Sequence, residues 1–278
     1  MNWRLIPYSF FEPAWNMAVD EAIFLSYLKG LVPPTLRFYG WNPPALSVGY
    51  FQNVADEVNL INLEKNGFGL VRRNTGGRAV LHHNELTYSV VAGVKDGAPE
   101  GLKESYFFIA RVLIDALQHL GVNAELHQNA LSKNFGTGAC FETPSQYELM
   151  VDHRKLIGSA QFRQGNSFLQ HGSILFDFSA ADLEAVLNIG DVPRQSFIEL
   201  LNTKVTSLRH LGFKLEPEVL AEEITQSFYR VHGVEFVETG LTADELQTTK
   251  DLIEEKYGNV NWNLQRGSTG SSRRIQVF

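Results

Sequence analysis

The hydrophobic periodicity of this chain changes once along its length, and that change restricts the architectures open to it. Up to residue 178, short β-type runs alternate with glycine and proline turns, at residues 35–39, 45–50, 69–73, 79–83, 86–91, 147–151, 156–161 and 168–178. Beyond Ser179 the spacing becomes mainly helical, at residues 180–188, 196–201, 217–231 and 242–257, the last opening on a Thr242-x-x-Glu245 capping box. Two helices interrupt the β-rich part. Residues 14–29 place Met17, Ala18, Ala22, Leu25 and Leu28 at spacings of three and four, with Pro13 before them and Gly30 after, and predict an amphipathic helix. Residues 104–120 do the same through Phe107, Ile109, Leu113 and Leu117, closed by Gly121. The fold class is therefore α+β: a mixed β-sheet flanked by helices, with a small helical C-terminal extension.

More local expectations follow. The turn at residues 40–44 predicts a hairpin between runs 35–39 and 45–50. Runs 147–151, 156–161 and 168–178 read as a three-stranded meander turning at Asp152-His153 and Gly165-Asn166, which places Lys155 on a turn. Domain boundaries fall at 1–212 for the sheet-containing domain, 213–263 for the helical extension and 264–278 for a flexible Gly/Ser/Arg tail.

Composition excludes several classes. With 44% hydrophobic and 20% charged residues the chain can bury a large core. No apolar run approaches the ~20 residues of a membrane span, and the first residues lack the apolar stretch of a secretory signal, so a cytoplasmic protein is expected. A net charge of −7 argues against a general nucleic-acid binder and leaves only local basic clusters: Arg72, Arg73 and Arg78, and Arg154, Lys155 and Arg163. A single cysteine rules out an intrachain disulfide and a cysteine-cluster zinc site.

That cysteine, Cys140, stands among small residues in an irregular stretch spanning 128–146. A nucleophilic role requires its thiolate, and Lys155 is the cation nominated to favour it. The plainer reading makes Cys140 a small buried hydrophobe. In residues 72–78, Gly76 and Gly77 allow main-chain N–H groups to approach an acyl or phosphate ligand closely, but the run matches neither a Walker loop nor a dinucleotide fingerprint, and a hairpin turn is the alternative. His82 and His83 are adjacent in a strand and face opposite sides, and no second histidine or carboxylate stands at a recognised ligand spacing, so no metal site is expected. His171 is either a base or orienting group near the Cys140 loop or a hydrogen-bonded core histidine. Tyr39, Trp41, Tyr50 and Phe51 read as packing rather than a base-stacking platform.

Taken together, the runs Arg37-Phe-Tyr-Gly-Trp-Asn-Pro, Ser47-Val-Gly-Tyr-Phe-Gln-Asn53, Arg72-Arg-Asn-Thr-Gly-Gly-Arg78, Leu81-His, Glu85-Leu-Thr-Tyr-Ser-Val90, Ala139-Cys-Phe, Lys155-x-x-Gly-Ser-Ala-Gln161 and Gln170-His-Gly-Ser-Ile174 resemble the lipoate-attachment family, from Trp3 to about Asn263. The resemblance implies the biotin/lipoate protein ligase-like (BPL/LPL) catalytic domain. Among the family's branches it implies octanoyl transfer from octanoyl-acyl carrier protein, through a thioester on Cys140, to the lysine of the glycine cleavage H protein or another lipoyl domain. No cofactor and no ATP are then required. The resemblance further implies that Lys155 contacts the acyl carbonyl. Arg73, Gly76, Gly77, Arg78, His82, Gly158, Ser159, Ala160, His171 and Gly172 would then line the acyl or pantetheine site, the arginines steering acidic partners. His83 and Asn74 stand where relatives usually carry Asp and often Pro. An ATP-dependent lipoate-protein ligase is the rival, although Arg78 replaces the third glycine such ligases usually have. An amidotransferase acting between lipoyl domains is a second rival, and a non-catalytic carrier-binding module a third.

Overall fold

The structure, a computed structural model, describes residues 2–128 and 147–265. Cys140, the irregular connection around it and the tail from residue 266 lie outside the described residues. In chain order the strands are β1 (Asn2–Ile6), β2 (Phe10–Phe11), β3 (Thr35–Trp41), β4 (Ala45–Val48), β5 (Gly69–Arg72), β6 (Val80–His82), β7 (Glu85–Gly93), β8 (Glu125–Gln128), β9 (Tyr147–Val151), β10 (Arg154–Gln164), β11 (Ser167–Leu175) and β12 (Glu235–Glu238). The helices are α1 (Pro13–Leu28), α2 (Val54–Glu57), α3 (Leu60–Lys65), α4 (Leu102–His119), α5 (Ala180–Ala185), α6 (Arg194–Lys204), α7 (Pro217–His232), α8 (Ala243–Leu252) and α9 (Val260–Leu264).

The main sheet runs β12-β1-β3-β7-β11-β10-β9-β8, with β2 added beside β3, and a small sheet runs β5-β4-β6. Pairing in the main sheet is parallel at the β12-β1-β3 end and antiparallel from β3 to β8, so the sheet is mixed. The predicted meander is present as β9, β10 and β11. The hairpin expected around residues 40–44 is not formed. β3 is already paired on both edges, to β1 and to β7, and has no edge left for β4. β4 instead nucleates the small sheet, and its Leu46 and Val48 pack with Val54, Leu63, Leu183 and Phe197 in a separate apolar cluster. The hairpin reading of the Gly76-Gly77 segment fails for a related reason: β4 lies between β5 and β6 and pairs with both.

Helix α1 departs from its amphipathic reading. It is buried almost all round: Val19, Ile23, Phe24 and Tyr27 pack against Val91, Phe162 and Leu169, while Met17 and Ala18 face Tyr39, Trp41, Val71 and Tyr257. A polar flank is unnecessary because its charged residues are paired internally. Asp20 meets Arg37 at 2.7 Å, and Glu21 accepts from Tyr257 Oη at 2.6 Å. α4 buries its apolar face, including Ile109, Leu113, Ala116 and Leu117, in the largest cluster with Leu36, Val90 and Leu156, and α7 packs on it. Each leucine or isoleucine among them contributes about 1.5–3 kcal/mol of burial free energy.

In residues 213–263, β12 is a strand not foreseen from the sequence, and it extends the main sheet by pairing with β1. The capping box is formed as expected, with Glu245 N donating to Thr242 Oγ1 at 3.2 Å and Thr242 N to Glu245 Oε2 at 2.8 Å. Among the described residues no helix is long and apolar enough to cross a membrane.

Candidate active site

Two chains of hydroxyl, imidazole and carboxylate run through the middle of the molecule and hold the segment between β5 and β6. In the first, Asp20 on α1 accepts from Arg37 Nη1 at 2.7 Å and from Tyr39 Oη at 2.8 Å, and lies 3.2 Å from His171 Nδ1. On its other side, His171 Nε2 stands 2.8 Å from Thr75 Oγ1. Burial alone would raise the Asp20 carboxyl, but the hydrogen bond from His171 and the charge of Arg37 outweigh it and hold the group below the usual carboxylate range. Burial pushes His171 below the usual imidazole value, with Asp20 opposing. A neutral ring beside an ionised carboxylate has one consistent arrangement: Nδ1–H donates to Asp20, and Nε2 accepts from the Thr75 hydroxyl.

The second chain lies on the neighbouring strands. His82 Nε2 is 2.6 Å from Ser47 Oγ, and His82 Nδ1 is 2.7 Å from Glu85 Oε1, which also accepts from Ser173 Oγ at 2.7 Å and Thr87 Oγ1 at 2.5 Å. Trp41 stacks on His82 with ring centres 4.0 Å apart and donates its indole N–H to Thr87 Oγ1 at 2.9 Å. Arg73 connects this chain to the glycine segment. Its Nη1 donates to Ser47 Oγ at 2.7 Å and to the Ser47 carbonyl at 2.9 Å, and its Nη2 donates at 3.0 Å to the carbonyls of Gly76 and Arg78.

The segment is thus drawn into a fixed curve, with Gly77 at φ +93°. It also lies directly on β4: a Cβ at Gly49 would sit 2.0 Å from the Gly77 carbonyl oxygen. The neighbouring Arg72 is buried and anchors the C-terminal helix, donating from its main-chain N to Asn263 Oδ1 at 2.8 Å and from Nε to the Trp262 carbonyl at 3.0 Å, while Trp262 Nε1 donates to the Arg72 carbonyl at 3.1 Å.

These contacts correct one expectation. Arg72 and Arg73 are not a basic surface available to steer acidic partners; both are buried, and their guanidinium groups are committed to main-chain carbonyls. Arg78 is partly exposed and lies 3.7 Å from Glu57.

The β10–β11 pairing gathers most of the other sequence-predicted residues. Gly158 opposes Ser173, Ser159 opposes Gly172, and Ala160 opposes His171. Gly172 has no room for a side chain, since its Cβ would meet Ser159 Oγ at 2.6 Å and Tyr88 Cε1 at 2.7 Å. Burial pushes the Tyr88 phenol up to about 12, so it stays protonated; it accepts from Gln170 Nε2 at 3.0 Å and shares a hydrogen bond with Ser159 Oγ at 2.8 Å.

Lys155 is not on a turn. It is the second residue of β10, buried, with Nζ donating to Glu148 Oε1 across the strand pair at 2.8 Å. It lies on the same strand as Gly158 and Ser159. Cys140, the proposed nucleophile, is outside the described residues.

Sequence reading did not single out Asp20, Ser47, Thr75, Glu85, Glu148 or Ser173 as partners. Four of them, Ser47, Thr75, Glu85 and Ser173, sit inside the quoted runs, and two of these, Thr75 and Ser173, are next to residues that were chosen. Asp20 had a signal of its own, as an acidic side chain inside a helix apolar on both flanks.

The chain that folds into this sheet is similar to known proteins over 95% of its length or more. Residues 12–229 match the family described as the lipoyl protein ligase A/B catalytic domain, and the chain belongs to that family. Over 95% of its length it is similar to curated octanoyltransferases. It is 42% identical to octanoyltransferase LipM of Moorella thermoacetica and 41% identical to that of Symbiobacterium thermophilum, over 95% of this chain and 98–99% of theirs. Among solved structures it superposes on a lipoate-protein ligase A bound with ATP, with a TM-score of 0.79 and 25% identity over 95% of this chain and 99% of the other. A structure from the analysis of a bipartite lipoate protein ligase and its E2 lipoyl domain from Thermoplasma acidophilum gives 0.80 and 25% over 97% and 99%.

Proposed function

We propose that this chain is a cytoplasmic octanoyltransferase that carries octanoyl from acyl carrier protein to the lysine of a lipoyl-accepting protein, such as the glycine cleavage H protein, through a thioester on Cys140. The full-length relatives at 41–42% identity support the transfer, and the placement of Lys155 is the observation that supports the mechanism most. An ammonium held at 2.8 Å by a buried carboxylate has a fixed position, on the strand that also carries Gly158 and Ser159.

In the first step the Cys140 thiolate attacks the carbonyl carbon of the octanoyl thioester. A new C–S bond forms, the bond to the donor's pantetheine sulfur breaks, and that sulfur leaves as a thiolate that takes up a proton. In the second step the neutral amine of the acceptor lysine attacks the acyl-enzyme, an amide forms, the amine proton is lost and Cys140 is released. Exchange between thioesters is nearly isoenergetic and amide formation from a thioester runs downhill, so neither step draws on ATP. Lys155 faces the oxygen that becomes negative in each tetrahedral intermediate. The Gly76-Gly77 segment, fixed by Arg73 and Thr75, lines the acyl or pantetheine site together with Arg78, His82, His171 and Gly172.

The test is intact mass spectrometry of the protein mixed with octanoyl-acyl carrier protein without ATP, beside Cys140→Ala. A hydroxylamine-labile octanoyl adduct on the wild type alone is the expected result. Absence of an adduct, with ATP-dependent loading of a lipoyl domain from free octanoate, would make the chain a ligase like its structural neighbour bound with ATP.

A further inference from the structure

We propose that Glu125, His127 and His153 form a binding site for a zinc-class divalent metal ion at the edge of the main sheet. Glu125 and His127 are two residues apart on β8, the terminal strand, so their side chains leave the same face. β8 pairs with β9, and the turn that joins β9 to β10 brings His153 over that face. One ligand atom from each of the three residues lies within 4.8 Å of the others. His127 Nε2 and Glu125 Oε1 are 3.4 Å apart. Two ligands at ~2.0–2.1 Å from a tetrahedral zinc are separated by about that distance, so the pair needs little rearrangement.

The turn itself carries a second observation. Asp152 and His153 both have positive φ, +49° and +61°, in a two-residue connection where the second place favours glycine. The left-handed backbone at His153 fixes the direction in which the imidazole leaves the chain. That direction leads to His127, with ring centres 5.5 Å apart.

Two imidazoles and one carboxylate suit zinc, cobalt or nickel rather than magnesium or calcium. All three residues are at least partly exposed, so water completes the coordination and the ion exchanges with solvent. The sequence showed no recognised ligand spacing here because the third ligand is 26 positions beyond the second and arrives only through strand pairing. An ion at this site ties the edge strand β8 to the β9–β10 turn, two residues before Lys155.

The test is equilibrium dialysis of the untagged full chain against zinc chloride, in a Cys140→Ala background so that the thiol does not enter the metal count. One bound ion is expected. The paired substitution His127→Ala/His153→Ala should weaken its uptake by about tenfold or more, with Glu125→Gln intermediate. Thermal melts without metal check that the variants are folded, and zinc should raise the melting temperature of the parent but not of the paired variant. Uptake unchanged in the paired variant, or no uptake by the parent, overturns the proposal.

Discussion

Glu148 holds Lys155: Oε1 of the one accepts from Nζ of the other at 2.8 Å, and both side chains are buried. Removing one member of such a pair leaves the other charge in a poorly solvated place and costs about 3–5 kcal/mol, whereas replacing both by apolar groups costs much less. Glu148→Gln should therefore lower the unfolding free energy strongly, and Glu148→Leu/Lys155→Met should be more stable than either single variant, as read by urea titration. On activity the expectation differs. Both Lys155→Ala and the double variant should lose acyl-enzyme formation in single-turnover measurements, because the double change restores packing and not the ammonium. Unchanged single-turnover kinetics in Lys155→Ala would remove that residue from the site.

Gly49 sets the position of the glycine segment from outside it. A methyl group there meets the Gly77 carbonyl oxygen at 2.0 Å, and that carbonyl lies between those of Gly76 and Arg78, which Arg73 already holds. Gly49→Ala should destabilise by about 1–3 kcal/mol. It should also reduce kcat/KM for octanoyl transfer by about tenfold or more, since misplacement of a positioning loop by a fraction of an ångström is felt in the rate. Gly240→Ala is the control, with nothing near its Cβ, and should leave both quantities unchanged.

Asn263 accepts from the main-chain N of Arg72 at 2.8 Å and receives the end of the Arg72 guanidinium at its carbonyl, 3.2 Å away. The C-terminal helix thus buttresses the strand that leads into the glycine segment, 191 positions earlier. Asn263→Ala should cost about 1–3 kcal/mol by leaving a buried N–H unpaired. Its thermal melt should shift together with activity rather than independently of it.

These three relationships show where the sequence was legible. Elements whose form is set by their own neighbours were readable: the capping box at Thr242 and the meander from β9 to β11. Contacts closed by distant segments were not. Asn263 reaches Arg72 from 191 positions away, and the hairpin expected at residues 40–44 failed because β3 finds both its neighbours elsewhere. Arg72 and Arg73 looked like surface charge because composition records a guanidinium and not the carbonyls it meets.

The Asp20–His171–Thr75 chain makes the protein sensitive to acid, and the sign can be worked out. His171 has its folded pKa depressed by burial, so as pH falls below the ordinary imidazole value of about 6.5 the unfolded chain binds a proton that the folded one refuses, and stability declines. Asp20 is also depressed, so its contribution is present above the ordinary carboxylate value of about 3.9 and is lost as pH falls through the lower folded value. Melting temperature should therefore drop in two stages on acidification, the first starting near pH 6.5. His171→Asn removes the titrating ring while keeping a donor near the Nδ1 position, and should flatten the first stage while lowering stability at neutral pH. Asp20→Asn should behave differently, destabilising at every pH above the carboxylate range because it leaves the buried Arg37 without its counter-charge. Melts of the three proteins from about pH 2 to 8 decide it. A wild-type curve flat across the upper stage would mean that His171 titrates alike in the folded and unfolded states, and that the neutral ring donating to Asp20 is not the arrangement that holds Thr75.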